Sequence, residues 1–276
     1  MNEPKTKIGV LDSGVGGLTV LREIHRLLPQ HPTVYAADQL HLPYGPRSAE
    51  EVRAFVFSIT EFLIEQGAGV IVLACNTASA ASLLPLRDAF TDIPFVGMEP
   101  AVKPAAEATK SGVVGVLTTR TTADGPLYER VLNQYARDVQ VITQVSPGLV
   151  TVAETQSQHT PEGRAVIRGY IDPLIEQGAD QIVLACTHFP LLTDAIQNIA
   201  GSRVTLVDPS PAIARQVARV WPKNFSPSPT PNQYFTSADP AHFQSMLHQL
   251  IGVESDVNHL SWGENLHITR TSNLQQ

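Results

Sequence analysis

The chain has two cysteines, and both close the same phrase. Ile64-Glu65-Gln66-Gly67-Ala68-Gly69-Val70-Ile71-Val72-Leu73-Ala74-Cys75 returns 111 residues later, ten of twelve positions identical, as Ile175-Glu176-Gln177-Gly178-Ala179-Asp180-Gln181-Ile182-Val183-Leu184-Ala185-Cys186. A lone cysteine ending an apolar strand is ordinarily a small buried hydrophobe. Duplication, with Asn76-Thr77 after one sulfur and Thr187-His188 after the other, argues for reactive thiols instead. A helix N-terminus beyond a thiol lowers its pKa below the free value of about 8.5, so a thiolate at neutral pH is expected. Two equivalent thiols point to chemistry delivered from two sides. His188 reads either as a hydrogen-bonded core histidine or as an acid or base beside Cys186. Asp12 reads either as a helix cap or as a carboxylate that orients an ammonium group or assists a proton transfer.

The elements that must hold these groups follow from the same phrase. Each copy is a helix end, a glycine stop, an apolar run of strand length and a polar turn. Strand-like runs at 8–11, 34–37, 70–74, 95–97, 113–117, 139–142, 182–185 and 204–207 alternate with helical patterns at 18–28, 49–66, 127–135, 161–177 and 212–220. That alternation predicts an α/β protein with doubly wound parallel sheets. A fainter echo pairs Gly9-Val10-Leu11-Asp12 with Gly115-Val116-Leu117-Thr118, offset by 106, so two halves of similar build are expected. The break is placed after Gly97, near Met98-Glu99-Pro100, and the proline and serine run at 226–231 sets off a tail. Ligands in such sheets sit beyond the carboxyl ends of strands, where Asp12, Cys75, Thr119 and Cys186 all fall. If the halves face each other, the thiols meet across one cleft.

Composition narrows the function. At 276 residues and a net charge of −7, with its cations scattered, the chain is not expected to bind nucleic acid. It has no apolar leader before its first strand and no run of about 18 apolar residues, so a cytoplasmic protein without a membrane partner is expected. In a reducing compartment a Cys75–Cys186 disulfide is not expected. The nine histidines form no HExxH or zinc-spaced Cys/His cluster, and no lysine sits in a Schiff-base context, so neither metal nor cofactor is expected. Asp12-Ser13-Gly14-Val15-Gly16-Gly17 follows a strand and opens a helix, offering amides to a carboxylate or phosphate. It lacks the Gly-Lys-Ser/Thr of a phosphate loop, and Thr19 stands where a dinucleotide loop needs its third glycine.

Asp12-Ser13-Gly14-Val15-Gly16-Gly17, Pro43-Tyr44-Gly45, Ala74-Cys75-Asn76-Thr77-Ala78 and Ala185-Cys186-Thr187-His188-Phe189-Pro190, in this order and at these distances, resemble the bacterial glutamate racemase family. Glu99-Pro100-Ala101, Pro147 with Leu149 and Val150 before Glu154, and Tyr234-Phe235-Thr236-Ser237 extend the resemblance over nearly the whole chain. It implies cofactor-independent interconversion of L- and D-glutamate, supplying D-glutamate for peptidoglycan, by a homodimer. It also implies two α/β domains with the active site in the cleft between them. The first comprises residues 1–97 and 208–276, because the family's C-terminal segment returns to it, and the second residues 98–207.

Carried over by the same resemblance, Cys75 faces the proton of D-glutamate and Cys186 that of L-glutamate, assisted by Asp12 and His188 and further by Glu154. Substrate contacts map onto Asp12, Ser13, Tyr44, Gly45, Asn76, Thr77, Thr119, Thr187 and His188. The chain departs from the family at Gln39, where threonine is usual, at Thr118 and Thr121, which replace the glycines of a Gly-Thr-x-Gly-Thr pattern that includes Thr119 and Thr122, and at Ser146, a frequent cysteine. An aspartate racemase relative would usually carry glutamate after the second Cys-Thr and lack the Asp-Ser-Gly opening. A binding protein for an acidic amino acid would need amides and cations rather than paired sulfur. A thiol-disulfide oxidoreductase would want its cysteines close in sequence.

Overall fold

The computed structural model describes residues 6–222 and 230–270. The proline and serine run at 226–231 therefore lies largely outside the described residues.

The first part of the chain forms β1 (Lys7–Asp12), α1 (Leu18–Leu27), β2 (Thr33–Ala37), α2 (Ala49–Glu65), β3 (Ala68–Leu73), α3 (Asn76–Ala89) and β4 (Phe95–Gly97). It continues through α4 (Val102–Ala108), β5 (Val113–Thr118), α5 (Arg120–Ala123), α6 (Pro126–Tyr135), β6 (Gln140–Val145), α7 (Pro147–Glu154) and α8 (Pro161–Glu176). Then follow β7 (Gln181–Ala185), α9 (Thr193–Ala200), β8 (Thr205–Val207), α10 (Ser210–Val220), β9 (Gln233–Thr236), α11 (Pro240–Ile251), β10 (Val257–Trp262) and β11 (Ile268–Arg270).

Two sheets result, ordered β11-β10-β9-β2-β1-β3-β4 and β6-β5-β7-β8. The run β2-β1-β3-β4 repeats the order of the smaller sheet, so the duplication seen in the cysteine phrase extends to topology. Every pairing is parallel except β10 with β11 at one edge, a departure from the all-parallel expectation. Buried apolar clusters lie on both faces of each sheet, which makes both doubly wound. We call each sheet with its covering helices a lobe.

Local chemistry explains why the phrase folds alike twice. Helices α2 and α8 start on side-chain caps, Ser48 with Glu51 in a reciprocal box and Thr160 ahead of Pro161. Both stop at a glycine in the left-handed region, Gly67 at φ 90° and Gly178 at φ 89°. The fainter glycine echo also has a packing cause. A Cβ on Gly9 would lie 3.3 Å from the Leu63 Cβ of α2, and one on Gly115 would lie 2.9 Å from Leu174 Cδ1 of α8. Both glycines let the helix before the cysteine strand press onto the sheet.

Helices α3, α7, α9 and α11 and the strands after β8 were not legible as periodic patterns. Helix α3 buries Asn76, Thr77, Ser79 and Ser82 together with its apolar residues and carries Pro85, so no clean apolar stripe marks it. The C-terminal strands are short, and β9 joins the larger sheet by pairing with β2 from nearly two hundred residues away. That edge is tied down at Asp38, fully buried just beyond β2. Its carboxylate accepts from the Tyr44 hydroxyl at 2.7 Å, the Ser237 hydroxyl at 2.8 Å and Trp262 Nε1 at 2.9 Å. Removing it strands buried donors at about 1–3 kcal/mol each. We expect Asp38→Ala to lower the urea midpoint by an amount equivalent to about 3 kcal/mol. A midpoint within error of wild type would show these bonds to be energetically idle.

Candidate active site

Strand ends build the site. β1 delivers Asp12 and Ser13, β3 delivers Cys75, β5 delivers Thr119 and β7 delivers Cys186, each at the carboxyl end of its strand. Ser13, Tyr44, Gly45, Asn76, Thr77, Thr119, Glu154, Thr187 and His188 line one cavity of about 620 Å³ together with both cysteines. That volume suits a small molecule. The cysteines, from different lobes, are both free and buried.

The two sulfurs have different surroundings despite their common phrase. Cys186 Sγ lies 3.8 Å from His188 Nδ1, and His188 Nε2 lies 2.6 Å from Glu154 Oε1. Glu154 Oε1 also accepts the amide of Val15 across the lobes, at 3.2 Å. This thiol–imidazole–carboxylate chain follows the logic of an acid/base group oriented by a third residue. Cys75 instead has the Ser13 hydroxyl 3.9 Å away and accepts the Ala78 amide at 3.4 Å as the cap of α3. Directly beyond Cys186 the chain forms a short 3₁₀ turn, Phe189–Leu192, and α9 begins after it at Thr193, so no α-helix N-terminus adjoins this sulfur.

Charge settles into this frame by burial and pairing. Burial pushes the Cys75 thiol far up, and the neighbouring Asp12 carboxylate pushes it further, outweighing the Ala78 amide. This opposes the thiolate expected at neutral pH: burial and Asp12 favour the protonated form of Cys75. Burial likewise raises Asp12, against the opposing pull of His188 and the Gly17 and Gly14 amides. For His188 burial acts downward, but hydrogen bonds and charge from Cys186 and Glu154 prevail and hold it well above its usual range. For Glu154 burial acts upward, yet His188 and the Val15 amide bring it below the usual carboxylate range.

The sign of the pH dependence follows. The raised His188 stabilises the fold fully below its unfolded value of about 6.5, and this is lost as pH rises through the folded value. The depressed Glu154 stabilises above its unfolded value of about 4.3, and this is lost as pH falls through the folded value. We expect Glu154→Gln to be most destabilising between about pH 4.3 and 6.5, with the gap from wild type narrowing at higher pH. Urea denaturation at about pH 5.5 and about pH 8.5 checks this, and a gap that widens with pH would refute the ion pair.

Asp12 and Tyr44 have partners that their sequence neighbours do not reveal. Asp12 is fully buried and is not among the cavity's lining residues. Its carboxylate takes the Gly17 amide at 2.8 Å and the Gly14 amide at 3.2 Å, and receives the Thr187 hydroxyl of the other lobe at 3.3 Å. It therefore braces the loop as a cap would and reaches the second lobe as well. Tyr44 lines the cavity, but its hydroxyl is committed to Asp38. Asn76 is buried with both amide atoms unpartnered, which marks it for a ligand. Thr77 and Thr119 meet across the lobes at 2.9 Å. Of the departures, Thr121 donates to the Gly45 carbonyl at 2.8 Å, Gln39 accepts the Thr236 hydroxyl, and Ser146 donates to the Gln144 carbonyl.

Arg120, Leu42, Val145, Thr151 and Thr155 also line the cavity and were missed. Pro147, Val150, Thr151 and Glu154 recur at three and four spacing on α7, a stripe that could have exposed the wall they form. Among the described residues no group of three or more His, Cys, Asp or Glu side chains is arranged to hold a metal ion. Among them, too, no helix is long and apolar enough to cross a membrane.

Comparison with known proteins agrees with this architecture. Residues 8–217 match the model of the Asp/Glu/Hydantoin racemase family. The glutamate racemase of Ectopseudomonas mendocina is 44% identical over 94% of this chain and 99% of its own length. The structure of Bacillus anthracis glutamate racemase superimposes with a TM-score of 0.84 at 34% identity, covering 95% of this chain and 98% of that one. Escherichia coli glutamate racemase, solved with L-glutamate and the activator UDP-MurNAc-Ala, gives 0.85 at 31% identity, covering 96% of this chain and all of that one. With its paired strand-end thiols and these relatives, the chain belongs to the Asp/Glu/Hydantoin racemase family, in the glutamate racemase branch.

Proposed function

We propose that this protein interconverts L- and D-glutamate without a cofactor, using Cys75 and Cys186 as the two acid/base groups. The observation that carries the reading is a single cavity lined by two thiols that leave equivalent strands of two like lobes. Inverting a stereocentre by proton exchange needs removal on one face and delivery on the other. One sulfur, as thiolate, takes the α-proton as the other, as thiol, gives up its own to the opposite face, so the protein ends with its one proton on the opposite sulfur.

The surroundings support this division of labour. Burial favours the protonated form of Cys75, the form that delivers a proton, while His188 lies 3.8 Å from Cys186 Sγ, where it can exchange a proton with it. Proton transfer by positioned groups contributes only about 10² to 10⁴ in rate. The α-proton is far less acidic than a thiol, so the charge growing on the substrate needs stabilisation as well. The positive N-terminus of α3 and the unpartnered Asn76 amide can supply this by holding an α-carboxylate.

The same reading covers the rest of the expectations. The lobes are domains, residues 1–97 with 208–276 and residues 98–207, closing on glutamate to exclude water. The protein works as a cytoplasmic homodimer that supplies D-glutamate for peptidoglycan. Sedimentation tests the dimer. Circular dichroism of L-glutamate, D-glutamate and an L-aspartate control, with no cofactor added, tests the reaction. Loss of rotation from both glutamate enantiomers alone is expected; if glutamate rotation persists, the reading falls.

A further inference from the structure

The loop 42–46 supplies Leu42, Pro43, Tyr44, Gly45 and Pro46 to the cavity wall, yet it belongs to no helix or strand. Something outside it must fix its shape. At one end the Gly45 carbonyl is held by Thr121 of the opposite lobe. At the other, everything converges on Asp38. His41 Nδ1 lies 2.9 Å from Asp38 Oδ2, and the Tyr44 hydroxyl donates to that same oxygen. The other carboxylate oxygen takes the Ser237 hydroxyl, just past β9, and the Trp262 indole N–H from β10. Ser237 Oγ also accepts the Leu40 amide at 2.9 Å, gripping the chain just ahead of the loop. The Trp262 ring packs edge-on against His41 at 5.0 Å and Phe55 at 5.7 Å.

We propose that Asp38 is a positioning residue and that the C-terminal strands, through Ser237 and Trp262, orient it to hold Tyr44 and so set the substrate loop. Neither Ser237 nor Trp262 lines the cavity. Their effect on substrate passes through one buried carboxylate. Each donor fixes the oxygen it binds, and the carboxylate then presents its second oxygen to Tyr44 at a set angle. Loss of either donor lets the carboxylate turn and the loop loosen. The free protein must then order the loop when substrate binds, which weakens binding without altering the groups that move protons. The inference rests on the racemase reading for its kinetic readout only.

Ser237→Ala and Trp262→Phe remove one donor each and retain a side chain of similar character. Each variant is expected to raise KM for both glutamate enantiomers about tenfold, with kcat within about twofold. Hydrogen exchange should quicken at the amides of Tyr44, Gly45 and Arg47 in both variants. Unchanged KM and unchanged exchange at the loop, with only a lowered melting temperature, would reduce the cluster to a structural tie and overturn the proposal. So would a fall in kcat at constant KM. If one variant does not fold, the other carries the test. If wild type leaves glutamate unchanged, the racemase reading fails, and loop exchange still decides whether Ser237 and Trp262 set the loop.

Discussion

Replacing either Cys75 or Cys186 by serine is expected to reduce racemisation in both directions by about 10² to 10⁴ or more, while the protein stays folded and still binds glutamate. The reason is stereochemical. A serine hydroxyl is far less acidic than a thiol, so it neither accepts the α-proton nor returns one at a useful rate. With one face disabled, the other sulfur can remove a proton only to give it back where it came from. Both thiols are buried, but each substitution exchanges sulfur for a smaller oxygen with little change of shape, so the folding cost is small. Dichroism of L- and D-glutamate measures the loss, and titration calorimetry with either enantiomer measures retained binding. Full activity in either variant would sink the two-thiol mechanism.

Gly16→Ala is expected to cut kcat/KM by about 10²-fold although Gly16 touches no proton in flight, because misplacing a catalytic group by about 1 Å can cost that much. A Cβ at this position would lie 2.7 Å from His188 N, His188 Nδ1 and Thr187 Oγ1. One of those atoms is backbone and cannot swing away, so the segment carrying Cys186 must move. His188 then leaves its places beside Cys186 and Glu154, and the Thr187 bond to Asp12 stretches. Overpacking of this kind costs about 1–3 kcal/mol of stability, well short of unfolding a typical domain. Activity should therefore fall much further than the melting temperature suggests. Wild-type kcat/KM in this variant would show that the loop after β1 and the segment after β7 need no close contact during turnover.

Much of this protein is written locally. The cysteine phrase, its glycine stop and its polar followers specify helix, left-handed turn and strand by short-range preference, so both copies fold alike wherever they lie in the chain. Apolar runs fixed the central strands for the same reason. Placement of chemistry at strand ends then followed from a rule of α/β sheets, which brought Asp12, Cys75, Thr119 and Cys186 to one side of their sheets. The motif spacing was specific enough to suggest the family.

Only the tertiary structure decided what each group meets. Sequence neighbours gave the two sulfurs matching settings, but Cys75 caps a long helix beside Asp12, whereas Cys186 meets His188 and, through it, Glu154 from another helix. The Cys75 thiol is pushed up by burial and a nearby carboxylate, and neither can be read from its own strand. The Tyr44 hydroxyl is held by Asp38, and Asp38 is completed by Ser237 and Trp262 from the far end of the chain. Patterns of residue type encode elements because backbone preference and burial act over a few residues. Protonation and hydrogen-bond partners depend on what packs within a few ångströms, which here means residues tens to hundreds of positions apart.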